Sequence, residues 1–225
     1  MEKNLEDTKE EFKRTGVENL EIEKSKFGIS IRTLIYATIF GTIGGIISSV
    51  IPFSLLVKVW YPLTGGTQLT SAHHIIWVAI FYGLTRNKPG ILISMLTKGI
   101  LEFLITGSYG IVIIGINLLE GASLLIGFFI MENLNEGDSK LGWGIAGGIG
   151  NITQVPVFWY ISGKLFTLHI SLFILAMIFA FLSGVFIAGL LGKVIKDYLI
   201  KAGVPIAAQA IFTVKTDEII NLDKS

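Results

Sequence analysis

The sequence predicts an all-α integral membrane protein, a six-transmembrane-helix bundle with its N- and C-termini cytoplasmic. Three observations predict it. Of 225 residues, 52% are apolar and only 16% charged, against about 25% charged in an ordinary soluble domain, and the mean hydropathy is +0.69. The charges are segregated, with eight of the 17 acidic and six of the 18 basic side chains in residues 1–26. From Phe27 to Ile200 the chain is sparsely charged and runs in apolar stretches of bilayer length. A soluble enzyme is excluded on that ground. With no cysteine, disulfide frameworks, thiolate metal sites and cysteine nucleophiles are excluded too. A net charge of +1 gives no reason to expect nucleic acid as a partner.

Residues 1–28 read as a charged cytoplasmic tail and not as a signal peptide, because no apolar run precedes residue 27. Residues 29–200 form the membrane domain, and 201–225 a short cytoplasmic tail. A bilayer core of about 30 Å needs roughly 20 apolar residues per helix, and lipid leaves the backbone no alternative to helix. The six spans are Ile31–Val57, Ser71–Thr85, Gly90–Thr106, Tyr109–Met131, Gly142–Gly163 and Leu168–Lys193. Arg86-Asn-Lys-Pro-Gly90 separates the short second and third spans by a helix stop and a new start. With the N-terminus inside, Lys24, Lys26, Arg32, Arg86, Lys88, Lys140, Lys193, Lys196 and Lys201 are cytoplasmic and only Lys58 and Lys164 are outside. Nine against two sets this orientation in a plasma membrane. No internal repeat is evident, which argues against an inverted-repeat transporter.

Several familiar chemistries are missing. Gly163-Lys164 and Gly192-Lys193 lack the rest of a phosphate-binding loop, so the chain cannot energise transport by such a loop of its own. No zinc-protease or serine-hydrolase motif occurs. Gly142-Trp-Gly144-Ile-Ala-Gly147 matches a dinucleotide fingerprint only formally; it opens a membrane helix and reads as a small-residue packing face. Helix 1 carries Ala37, Gly41 and Gly45 at four-residue spacing, a flat stripe for close approach of another helix, either within the chain or on a second membrane protein.

The informative residues are polar groups inside the membrane, which face a cavity or a partner because exposure to lipid is costly. Lys98 and Glu102 share a face of helix 3 at i, i+4. Glu120 sits near the middle of helix 4, without an evident partner in sequence, and Asn117 lies one turn nearer the outside. Trp60 and Tyr61 precede an outer loop whose Gly65-Gly66 would let it move as a lid, and His73, His74 and Trp77 open helix 2. Asn151 and Gln154 lie on helix 5, followed by Trp159 and Tyr160, read as an interfacial belt. No carboxylate spacing accompanies the two histidines, so no metal or cofactor is expected. Together these groups predict an outward-opening pocket for a small, planar, nitrogen-rich solute, held by a carboxylate and stacked on an aromatic face. Two other readings are a stand-alone proton-coupled secondary transporter with Glu120 or Glu102 as the proton-binding group, and a membrane enzyme or packing subunit.

Six short helices, no ATPase and a small-residue stripe on helix 1 resemble the substrate-binding (S) components of energy-coupling-factor (ECF) vitamin transporters. The run from Trp77 to Ser123 is similar to the YkoE type, assigned to hydroxymethylpyrimidine or thiamin. The matching features are Arg86-Asn-Lys-Pro-Gly90, Ser94, Leu101-Glu102, Val112-Ile-Ile-Gly-Ile116 and Glu120-Gly-Ala, then Ser183-Gly184, Ala188-Gly-Leu-Leu-Gly-Lys193 and Ala202-Gly203. The resemblance implies a non-enzymatic capture subunit working with a transmembrane scaffold and two ABC ATPases. It places scaffold contact on Ala37, Gly41 and Gly45 and a family carboxylate on Glu102. A family acid of helix 4 falls on Ser123, one turn after Glu120, and another falls near Ser71.

Overall fold

The computed structural model describes residues 29–50, 68–107, 110–161, 163, 167 and 169–204. Among these the chain is helix and turn, without a strand. The elements are α1 (Ile31–Val50), a 3-10 turn (Ser71–His73), α2 (Ile76–Thr85), α3 (Lys88–Thr106), α4 (Val112–Asn133), α5 (Lys140–Ile152), α6 (Gln154–Ile161), α7 (Ile170–Ser183), a π-helical segment (Gly184–Leu191) and α8 (Gly192–Lys201). Among the described residues, four helical stretches are long and apolar enough to cross a membrane: α1, α3, α4 and the continuous run Ile170–Lys201. Their outward faces are apolar, with Leu104, Ile126, Phe186 and Val194 all exposed. In water such a surface would be unstable; against lipid it is the expected one.

Local chemistry sets the element boundaries. Arg86 caps α2 in a left-handed conformation, φ 51°, and its N–H bonds the Tyr82 carbonyl at 2.7 Å. The Asn87 side chain then accepts from Gly90 N at 2.8 Å, opening α3 with Pro89 in the first turn, where a missing N–H does no harm. Ser139 caps α5 in the same way, on Gly142 N at 2.8 Å.

The predicted fifth span is broken. Gly142–Gly163 divides at Thr153 into α5 and α6, because the Pro156 ring meets the carbonyl four residues back and carries no N–H for the ladder. The predicted sixth span starts near its expected place but runs on to Lys201, with a π-helical turn inside it. The predicted second span is a 3-10 turn followed by a helix from Ile76. At ten residues, about 15 Å, α2 is too short to cross lipid alone. It has no need to, since α1, α3, α8 and the π segment pack around it and every α2 residue but Trp77 is buried.

The core runs through α2, α4 and α5. Trp143 and Phe128 meet edge to face at 5.3 Å, and Tyr82 lies against Phe128 at 4.6 Å. The glycine fingerprint of α5 is a packing seam, as its residue types suggest: a Cβ on Gly147 would strike Gly189 N at 2.7 Å, and one on Gly184 would strike Gly148 Cα at 2.7 Å. Backbone meets backbone there.

Candidate functional site

The α3–α4 crossing brings three of the expected polar residues together. Gly99 makes it close, since a Cβ there would stand 3.0 Å from Ile114 Cα. Across this seam Lys98 Nζ donates to Glu102 Oε1 at 2.6 Å and to Asn117 Oδ1. Asn117 Nδ2 donates to Glu102 Oε2 at 2.6 Å and to the Ile113 carbonyl at 2.8 Å. Ser48 of α1 lies beside Glu102. Lys98, Glu102 and Asn117 are all buried.

Glu120, which has no evident partner in sequence, has one in space. His74 Nε2 lies 3.1 Å from Glu120 Oε1 and 3.2 Å from Oε2, bridging 46 positions of chain. Both side chains are buried, and Lys98 stands close enough for its charge to act on each. His73 turns its Nδ1 to the Thr70 carbonyl at 2.7 Å and meets the His74 ring edge to face at 5.3 Å. The pair of histidines therefore serves a carboxylate and a turn. No group of three metal-binding side chains occurs among the described residues.

Asn151 and Gln154 belong to a second network, beside the first. Asn151 Nδ2 donates to Ser71 Oγ and to the Ala180 carbonyl, each at 2.7 Å, and Asn151 Oδ1 accepts from Gln154 Nε2 at 2.6 Å. Ser183 Oγ accepts from Ala72 N at 3.1 Å. These bonds tie the turn that carries His73 and His74 to α5 and to the end of α7, so both amides act as supports for the site. Nothing local in the sequence marks Ser71 or Ser183 as members. Trp77 packs beside Phe40 and Ile80 with its buried Nε1 unbonded among the described residues, as is Gln68 Oε1. Trp60, Tyr61 and the predicted lid lie outside the described residues.

Two expectations read differently in space. Trp159 is 2% exposed and packs with Val155, Ala176 and Ala180, so it belongs to the interior and not to an interfacial belt; Tyr160 is 64% exposed. Ala37, Gly41 and Gly45 are buried under α3: a Cβ on Gly41 would strike the Ser94 carbonyl, and one on Gly45 would stand 2.9 Å from Leu101 Cβ. The stripe packs α1 on α3, and docking of a second protein on these three residues requires α3 to give way.

An open groove of about 410 Å³ lies elsewhere, lined by Ile152, Phe173, Met177, Phe181 and neighbouring apolar residues of α7. It offers no polar group to a solute. The opposite end of the bundle carries a lattice of ion pairs. Asp138 takes Arg86 at 2.8 Å and Lys196 at 2.9 Å, while Glu132 takes the Tyr82 hydroxyl, Arg86 at 3.5 Å and Lys88 at 3.4 Å.

The fold superposes on the crystal structure of an S component of an ECF transporter with a TM-score of 0.68, at 17% sequence identity, covering 87% of this chain and 97% of that one. No family model and no curated protein matches the chain. The chain thus has the fold of an ECF S component, at an identity too low for a pairwise carry-over of residue roles.

Proposed function

We propose that this chain is the substrate-capture subunit of an ECF-type importer, binding a small vitamin or vitamin precursor from outside and delivering it with energy supplied by partner ATPases through a membrane scaffold. The observation that carries the reading is the fold correspondence along nearly the whole of an S component. The buried carboxylate cluster on α3 and α4 supports a polar ligand, and thiamin or hydroxymethylpyrimidine is favoured by the sequence resemblance. Six crossings follow if the turn at Ser71 with α2, and α5 with α6, each count as one. On this reading the lattice of Arg86, Lys88, Lys193 and Lys196 lies at the cytoplasmic end, as the inward bias of positive charge predicts.

Each carboxylate of the cluster is held by a neighbouring side chain, so ligand entry requires these contacts to part. Purified full-length protein is expected to gain thermal stability with thiamin or its pyrimidine precursor in a screen of water-soluble vitamins. Glu102→Gln and Glu120→Gln should each weaken binding at least about tenfold, roughly 1.4 kcal/mol. Co-expression with an ECF scaffold and its ATPases should yield a complex; no stabilising vitamin and no complex would overturn the proposal. The buried His74–Glu120 pair also suits the second reading, a proton-coupled transporter. Under it, proteoliposomes holding this chain alone accumulate solute when a proton gradient is imposed.

A further inference from the structure

Lys98 and Glu102 cancel one another at 2.6 Å, which leaves Glu120, 2% exposed, as the remaining carboxylate of the buried cluster. Its two oxygens share one neighbour, His74 Nε2. The other charged or titratable groups acting on it are His73 from the same turn and Lys98 from α3, itself paired with Glu102. From Gly142 to Ile161, α5 and α6 carry no charged residue, and α1 carries only Arg32 at its first turn. An imidazole nitrogen and a carboxyl group at this separation need a hydrogen between them. If that hydrogen is only the N–H of a neutral imidazole, the cluster keeps a full negative charge inside the membrane, a costly state in a medium of low dielectric. One further proton, shared by His74 and Glu120, makes the cluster neutral.

We infer that the His74–Glu120 pair holds one exchangeable proton at rest and is a cation subsite, where the positive group of an organic monocation takes the proton's place on Glu120. The displaced proton passes to external water, His74 is left as a neutral imidazole, and charge inside the membrane is unchanged by uptake. The inference rests on the reading of the chain as a solute-capture subunit and narrows the ligand to a cation with a flat ring over its neutral analogue. Thiamin meets that description through its thiazolium, and the uncharged pyrimidine alone does not.

Two measurements test it. Histidine 15N resonances and infrared carboxyl bands of the full chain in nanodiscs should show at neutral pH either an imidazolium at His74 or a protonated carboxyl at Glu120. That signature should be absent in Glu120→Gln; should that variant fail to fold, His74→Gln should show the proton wholly on Glu120, as a carboxylic acid. A neutral imidazole beside an ionised Glu120 overturns the inference. Calorimetry of thiamin binding in buffers of different ionisation heat should then register one proton released per thiamin, with affinity rising about tenfold per pH unit across the titration of the pair. Glu120→Gln should abolish the release, whereas His74→Gln, which leaves the proton on Glu120, should keep it. Thiamin binding without proton release overturns the exchange and spares the capture role; failure of thiamin and every other organic monocation to bind overturns both.

Discussion

The buried ion pair at the α3–α4 crossing and those at the Arg86–Asp138 end of the bundle use the same chemical groups in opposite surroundings. Lys98 and Glu102 have side chains 1% and 7% exposed; those of Arg86 and Asp138 are 30% and 57% exposed. At the wet end, water solvates what a lost partner leaves behind at Arg86 or Asp138, and the buried Lys196 keeps Asp197 at 2.7 Å if Asp138 is lost, so each contact is worth about 0–1 kcal/mol. At the dry end nothing replaces a lost partner, and the survivor is a bare charge in a low-dielectric interior. The buried cluster is therefore all or nothing, whereas the lattice at the rim tolerates loss one member at a time. A cluster of the first kind suits a ligand site, because a guest that supplies the missing charge recovers a large part of the cost.

The largest expected effect follows from that contrast. Lys98→Met strands Glu102 and should lower stability by about 3–5 kcal/mol, seen as a large drop in the unfolding temperature in detergent. The double variant Lys98→Met with Glu102→Gln removes both charges and should recover much of the loss. If the single variant unfolds no earlier than a rim variant, the two regions do not differ as described.

A smaller effect is expected where backbone packing holds the site's helices together. Gly41→Leu forces α1 away from the Ser94 carbonyl of α3 and should cost about 1–3 kcal/mol, the range for overpacking. Gly115→Leu is the control, since nothing lies within 4 Å of a Cβ there, and it should leave the unfolding temperature nearly unchanged. If Gly41→Leu is as harmless as Gly115→Leu but blocks assembly with the ECF scaffold, the stripe serves docking after all.

What the sequence makes legible is local. The apolar runs of α1, α3 and α4, the stop at Arg86 and restart at Pro89, and the Lys98–Glu102 pair all lie within a few residues, where helical period and proline chemistry decide the outcome. The break at Thr153 was legible in principle from Pro156, yet the apolar run around it masks the signal. Glu120 found its partner 46 residues away at His74, and Asn151 bonds Ser71 80 residues away. No periodicity encodes such pairings, because they depend on how the helices cross. The stripe on α1 was legible as a close-packing face, but which helix fills it depends on α3 arriving there first. Lys193 and Asp197 are visible as an i, i+4 pair, whereas the link from Lys193 to Asp138, in the turn between α4 and α5, is not.

The smallest effect belongs to Asp138, where pH supplies a second handle. Partial burial works against its charge, but the Lys196 hydrogen bond and the charges of Lys196, Lys193 and Arg86 prevail and hold its carboxyl below the usual aspartate range. A group depressed in the folded state stabilises fully above its unfolded value, about 3.9, and that contribution is lost as the pH falls through the lower folded value. Asp138→Asn should therefore cost under about 1 kcal/mol at neutral pH. The gap between wild type and variant should close as acid protonates Asp138, and should shrink in about 1 M salt, where screening acts over roughly 3 Å. Lys98→Met, shielded from both ions and water, should keep its deficit in the same salt. A gap at Asp138 as large as the one at Lys98, and equally indifferent to salt, would mean that the rim lattice is held by the same dry electrostatics as the buried cluster.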